Sequence, residues 1–122
     1  QDDDGHISPF DSTDTLERPT YDYRGLTRNA GFIEGLYGAL TKVGLEVYQI
    51  DHEDANGQFE INFKYDEAVK SADNMQFFKM AAKEIANNEG AICSFIPKLS
   101  ATTTGNGMHV HCSLVNEASR CL

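Results

Sequence analysis

The chain has 122 residues, 40% of them hydrophobic and 24% charged, the make-up of one folded domain rather than of a disordered or fibrous segment. Its net charge of −9, from 10 basic against 19 acidic side chains, has the wrong sign for a phosphate-backbone binder, so nucleic acid is not an expected partner. No apolar run approaches the ~20 residues of a membrane span, and the opening QDDDGHISPF has neither a basic start nor an apolar stretch, so neither a membrane association nor secretion is expected.

Residues 1–22 carry seven acids and one base, a charge of −6, leaving only −3 for the rest of the chain. This stretch is polar, is punctuated by Pro9 and Pro19, and reads as an acidic loop or flexible lead-in to a domain over 23–122. Between about 26 and 44, Phe32, Ile33, Leu36, Leu40 and Val43 follow helical spacing, and Gly44 supplies a stop. Extended runs follow at 46–52 and 58–65, and the Asn56-Gly57 pair between them signals a hairpin. In the second run Phe59, Ile61 and Phe63 alternate with Gln58, Glu60, Asn62 and Lys64, so one face is apolar and the other chemically armed.

A second helix is predicted from about Ser71 to Asn88, with Ser71 or Asp73 as N-cap and Gly90 as stop; its stripe includes Phe77, Phe78, Ala81, Ala82 and Ile85. Residues 92–96 read as a short buried strand ended by Pro97, and 108–114 as a last strand. There Met108, Val110, Cys112 and Leu114 alternate with His109, His111 and Ser113. The expected fold is therefore α+β: a mainly antiparallel sheet covered by helices on one face, with the opposite face free for chemistry.

Carboxylates on one strand face and an imidazole from another strand suit a hard divalent cation, Mg²⁺ or Mn²⁺, with Glu53, Glu60 and His109 as candidates. From pattern alone, a Glu on an open sheet face is more often simply solvated. His52, one step from Glu53, is expected to point to the opposite side and to be structural. His109 and His111 share one face, as a metal or polyanion site needs and as exposed strand histidines also do. The loop Thr104-Gly105-Asn106-Gly107 offers backbone N–H groups for close ligand approach, or is an ordinary turn. The three cysteines, Cys93, Cys112 and Cys121, lack metal or disulfide spacing, and the first two are expected as core fillers in a reducing, cytoplasmic setting. No Walker loop, Rossmann fingerprint or Ser-His-Asp order is present.

Residues 51–60, DHEDANGQFE, followed by FIPK at 95–98 and GNGMHVHCSL at 105–114, closely resemble the catalytic core of the glutamine synthetase family over about residues 21–115. Each string alone is weaker evidence than the ordered set of three. The resemblance implies an ATP- and magnesium-dependent ligase that joins ammonia to the γ-carboxylate of glutamate through γ-glutamyl phosphate. It implies that Glu53 and Glu60 hold the metal facing glutamate, and that His109 holds a second metal on the ATP phosphates. It further places Asn106 and Gly107 at the glutamate, and Tyr65, His111 and Ser113 near the nucleotide. The resemblance also implies a large homo-oligomeric ring.

The span from Glu53 to Glu60 is one residue shorter than in the common bacterial form, and with YDYRGL at 21–26 it looks more like the branch containing γ-glutamylmethylamide synthetases. Leu99 follows FIPK where the family usually has a second proline. The first expectation is thus glutamate–ammonia ligase chemistry, the second γ-glutamylation of methylamine or another amine. The third is a catalytically silent relative with a structural role, disfavoured by the retention of Glu53, Glu60 and His109. Since the family's chains are several times longer, the sequence reads as a fragment whose cut sheet edges expose apolar faces and leave it marginally stable or inactive alone.

Overall fold

The structure, a computed structural model, describes residues 7–116. Its elements in chain order are α1 (Tyr23–Arg28), α2 (Ala30–Lys42), β1 (Val47–His52), β2 (Phe59–Phe63) and α3 (Ala68–Asn88). Residues 7–22 contain no helix or strand, yet Asp14 and Pro19 are buried.

The helical pattern expected over 26–44 is split in two. Asp22 caps α1, its carboxylate accepting from the N–H groups of Arg24 (3.2 Å) and Gly25 (3.0 Å). At Asn29 the carboxamide turns back to donate to the Gly25 carbonyl at 2.9 Å, so a buried side chain closes α1 as α2 begins. Both long helices end in the same left-handed glycine motif. Leu45 N–H reaches Leu40 O and Gly44 N–H reaches Thr41 O, both at 3.0 Å; Ala91 and Gly90 repeat the pattern on Ala86 and Asn87. Gly44 and Gly90 lie at φ +85° and +79°, which glycine adopts without a Cβ penalty.

Helix α3 starts three residues earlier than predicted. Ser71 N–H already donates to Glu67 O at 2.8 Å, so Ser71 and Asp73 are interior residues, and Glu67 occupies the N-cap without a side-chain bond.

Strands β1 and β2 pair antiparallel with Ile50 opposite Ile61, Asp51 opposite Glu60 and His52 opposite Phe59. An irregularity between Val47 and Gln49 lets Val47 face Phe63 and adds one residue to the first strand. The period-two reading of β2 holds: Ile61 and Phe63 pack on the core of Leu36, Leu40, Leu45, Ala81 and Ala82, while Glu60 is exposed. Phe63, Phe78 and Phe95 continue this core in successive edge-on contacts with centroids 5.2 and 5.5 Å apart, a favoured aromatic geometry.

The two further strands predicted at 92–96 and 108–114 are not formed among the described residues, where the sheet has two strands. An extended segment becomes a strand only when a neighbour takes its backbone groups in a ladder, and among the described residues neither segment forms one. Cys93 and Phe95 still pack against the core, whereas Ile92 is 78% exposed. Met108, Val110 and Leu114 are 63, 67 and 75% exposed. Cys112 is exposed, so it is no core filler, while Cys93 is half-buried and its thiol is pushed up by that burial. Cys121 lies outside the described residues.

Candidate functional site

The hairpin register determines which side chains share a face. Because Glu53 N–H donates to Gln58 O at 2.8 Å, the pairing continues one step beyond β1. Gln49, Asp51 and Glu53 therefore stand on the same side as Gln58, Glu60 and Asn62. Two carboxylates on this face are braced by an amide: Gln49 donates to Asp51 at 2.6 Å and Asn62 to Glu60 at 2.9 Å. Glu53 accepts from the Asp54 N–H at 3.0 Å. Asp51 directly opposite Glu60 is a like-charge pair, a destabilising arrangement that a cation bound there would offset.

His52 points the other way, as expected. It is fully buried and meets Phe59 edge-on at 5.0 Å. Helix α1 comes so close here that a Cβ on Gly25 would stand 2.4 Å from His52 Cδ2. The ring is held between Glu53 O, 2.8 Å from Nδ1, and Asp14 Oδ2, 2.8 Å from Nε2. Asp14 also accepts from Gly57 N–H at 2.6 Å and from the Asn56 carboxamide at 3.1 Å. Burial opposes the charge on Asp14, but the bonds from Gly57, Asn56 and His52 together outweigh it and hold the carboxyl below the usual range. One buried carboxylate thus fixes both the turn and the strand that carries Glu53.

Three sequence motifs meet beside this turn. Asp54 accepts from Thr20 (3.0 Å) and Thr104 (3.1 Å) through its two oxygens. Gln58 accepts from Ala55 N–H at 3.1 Å and donates to Gly105 O at 3.1 Å and Asn106 Oδ1 at 2.9 Å. Asn106 in turn donates from Nδ2 to Ile96 O at 2.7 Å and from its backbone to Pro97 O at 2.9 Å. The approach is tight: a Cβ on Gly105 would lie 2.8 Å from Pro97 O. The DHEDANGQFE, FIPK and GNG strings are therefore one hydrogen-bonded unit.

The other candidates stand apart to different degrees. His109 folds back on the loop, with Nε2 3.9 Å from the place a Gly107 Cβ would take. His111 and Ser113 are exposed on the segment without strand partners. Tyr65 is 91% exposed beyond the far end of β2, beside Lys64 and Lys70 in a shallow polar depression. Among the described residues no three His, Cys, Asp or Glu side chains converge as a ligand group. The donors on the hairpin face are nevertheless oxygen donors of the kind hard divalent cations take, so Glu53 and Glu60 fit such an ion in chemistry. Asp14, Asp51, Asp54 and Gln58 were not singled out from sequence. Asp54 and Gln58 lie inside the recognised motif and Asp51 has the strand alternation, whereas Asp14 is 38 residues from His52 and carries no local signal.

Residues 3–122 match the family model described as glutamine synthetase, catalytic domain. A glutamate–methylamine ligase of Methyloversatilis universalis is 54% identical over 110 residues, which is 90% of this chain and 25% of that protein. The glutamine synthetase of Rhizobium meliloti is 43% identical over 104 residues, 85% of this chain and 24% of that protein. A solved GmaS/ADP complex superposes with a TM-score of 0.90 at 41% identity, covering all of this chain and 28% of that one. The chain thus spans about a quarter of the length of the curated relatives it matches. With three motifs joined on one hairpin and the family model matching nearly end to end, the chain belongs to the glutamine synthetase family and forms part of its catalytic domain.

Proposed function

We propose that the full-length protein is an ATP-dependent ligase that joins an amine to the γ-carboxylate of glutamate. The observation that carries this reading is the joining of the acidic hairpin face to the GNG loop through Gln58 and Asp54. In this reaction a γ-carboxylate oxygen attacks the terminal phosphorus of ATP and ADP leaves. The amine nitrogen then attacks the acyl carbon, phosphate departs, and the amine loses a proton. Glu53 and Glu60, with His109, are the residues that would hold divalent cations, Mg²⁺ or Mn²⁺. Such ions supply charge neutralisation while several negative groups come together.

Within this reading the chain's own residues have separate tasks. Asn106 and Gly107 lie on the loop proposed to hold glutamate, and Tyr65, His111 and Ser113 are proposed to meet the nucleotide. Glu60 sits on β2 and Glu53 directly after β1, tied by its N–H to Gln58 O, which limits the freedom of both carboxylates. A homo-oligomeric ring and a cytoplasmic location belong to the same proposal and rest on the family resemblance. No helix among the described residues is long and apolar enough to cross a membrane.

Two amines compete as acceptor. Ammonium is the family's general substrate, whereas methylamine is supported by the 54% identity to a glutamate–methylamine ligase against 43% to a glutamine synthetase. The test is phosphate release by the full-length protein with glutamate, ATP and Mg²⁺, comparing ammonium with methylamine. A higher kcat/KM for methylamine assigns the γ-glutamylmethylamide branch, and a higher value for ammonium assigns glutamine synthesis. Release with neither removes the ligase reading.

A further inference from the structure

We infer that Gln58 is a positioning residue whose carboxamide holds the Thr104–Gly107 loop against the acidic hairpin face and so sets where that loop meets glutamate. The inference deepens the ligase reading and rests on it for the identity of the substrate. Its basis is the use made of every polar group of one residue. The Gln58 carbonyl takes the Glu53 N–H at 2.8 Å, the side-chain oxygen takes the Ala55 N–H at 3.1 Å, and the side-chain nitrogen gives to Gly105 O and Asn106 Oδ1 at 3.1 and 2.9 Å. A primary amide has two N–H donors, and the loop supplies two acceptors for them.

Few other side chains do this. Glutamate has the length and the acceptor but would bring a carboxylate against two oxygens. Asparagine is one methylene short, and methionine fills the space without a donor. The loop's remaining anchors are the exposed Thr104–Asp54 bond at 3.1 Å and the two bonds from Asn106 to Ile96 and Pro97. Asn106 therefore spends both ends of its carboxamide on the scaffold, one end on Gln58 and the other on Ile96. A side chain at Gly105 would collide with the Pro97 carbonyl, so only glycine lets the loop lie this close to the FIPK segment. Of these tethers, Gln58 alone directly precedes β2, is bonded to Glu53 across the turn end of the hairpin, and bonds directly to the loop's backbone.

The test uses the full-length protein with Gln58→Glu, which keeps the bond to Ala55 and loses both donors, and Gln58→Met, which keeps the volume. Amide hydrogen exchange at Asn106 and the adjoining loop is followed together with kcat and the KM values for glutamate and ATP. Both variants should exchange about tenfold faster in the loop and show a glutamate KM raised about tenfold, as the loss of one or two net hydrogen bonds gives. The ATP KM should stay within about twofold, and exchange along β1 and β2 should not move. Unchanged loop exchange in both variants overturns the inference, as does faster exchange with an unchanged glutamate KM. If the unsubstituted protein turns over neither ammonium nor methylamine while the variants still loosen the loop, the ligase reading falls and the tether stands.

Discussion

Residues 23–90 are held by backbone ladders and a shared core, whereas residues 91–116 are held by Cys93 and Phe95 against that core and by a handful of side-chain tethers. In the first region every element answers another: α2 lays Leu36 and Leu40 against Ala81 and Ala82 of α3, and both cover Ile61 and Phe63. In the second, Gln58, Asp54 and Asn106 supply the hydrogen bonds that keep the FIPK and GNG strings near the hairpin. The difference teaches that regular structure needs a partner for its backbone, while a site loop needs only a few well-placed polar side chains on a rigid neighbour.

The comparison breaks most severely through the core. Leu40 is fully buried, and Leu40→Ala should cost about 2–5 kcal/mol, read as a fall in urea midpoint with both regions unfolding together. On the chemical side, Glu60→Ala in the full-length protein should lower metal-dependent phosphate release by about a hundredfold or more, the scale seen for a lost transition-state contact. Unchanged turnover would remove Glu60 from the proposed ligand set.

A smaller and more selective effect is expected from Asn106→Ala, which cuts the bonds to Gln58 and Ile96. It should cost about 1–2 kcal/mol and speed amide exchange over 96–107, leaving α2 and α3 as protected as before. Uniform loosening of both regions would contradict the separation drawn here.

Acid probes the segment ahead of α1. Hydrogen bonds from Arg28 and then Thr13 hold Asp11 down to about 2, and Asp14 is also depressed from the ordinary 3.8. Depressed carboxyls stabilise the folded state above their unfolded value and lose that contribution as protons bind. Stability should therefore fall between about pH 4 and pH 2, and the fall should be shallower in Asp14→Asn. The smallest effect belongs to Lys64→Ala: its 2.8 Å pair with Glu46 is exposed on both sides, so the thermal unfolding midpoint should stay where it is in the unsubstituted protein.

Local chemistry made much of this legible. The alternation of Phe59, Ile61 and Phe63 with Glu60 and Asn62 fixed the faces of β2 before any fold was known, because a strand's side chains alternate whatever surrounds it. Gly44 and Gly90 marked two helix ends through their tolerance of positive φ. The alternation in 108–114 is just as clean, yet it formed no strand, since periodicity announces what a segment would do beside a partner and cannot supply one. The start of α3 was missed because Ser71 resembles a cap, and a cap is decided by whether the preceding turn is already bonded.

By itself the sequence determined the two faces of the hairpin, through alternation at short spacing, and the family, through three motifs in order. Only the tertiary structure decided that Asp14 anchors the buried His52, that Asp51 stands opposite Glu60, and that Gln58 ties the hairpin to the GNG loop. Those contacts join residues far apart in the chain or on neighbouring strands. Their energies depend on burial and alignment, which no local pattern of residues encodes.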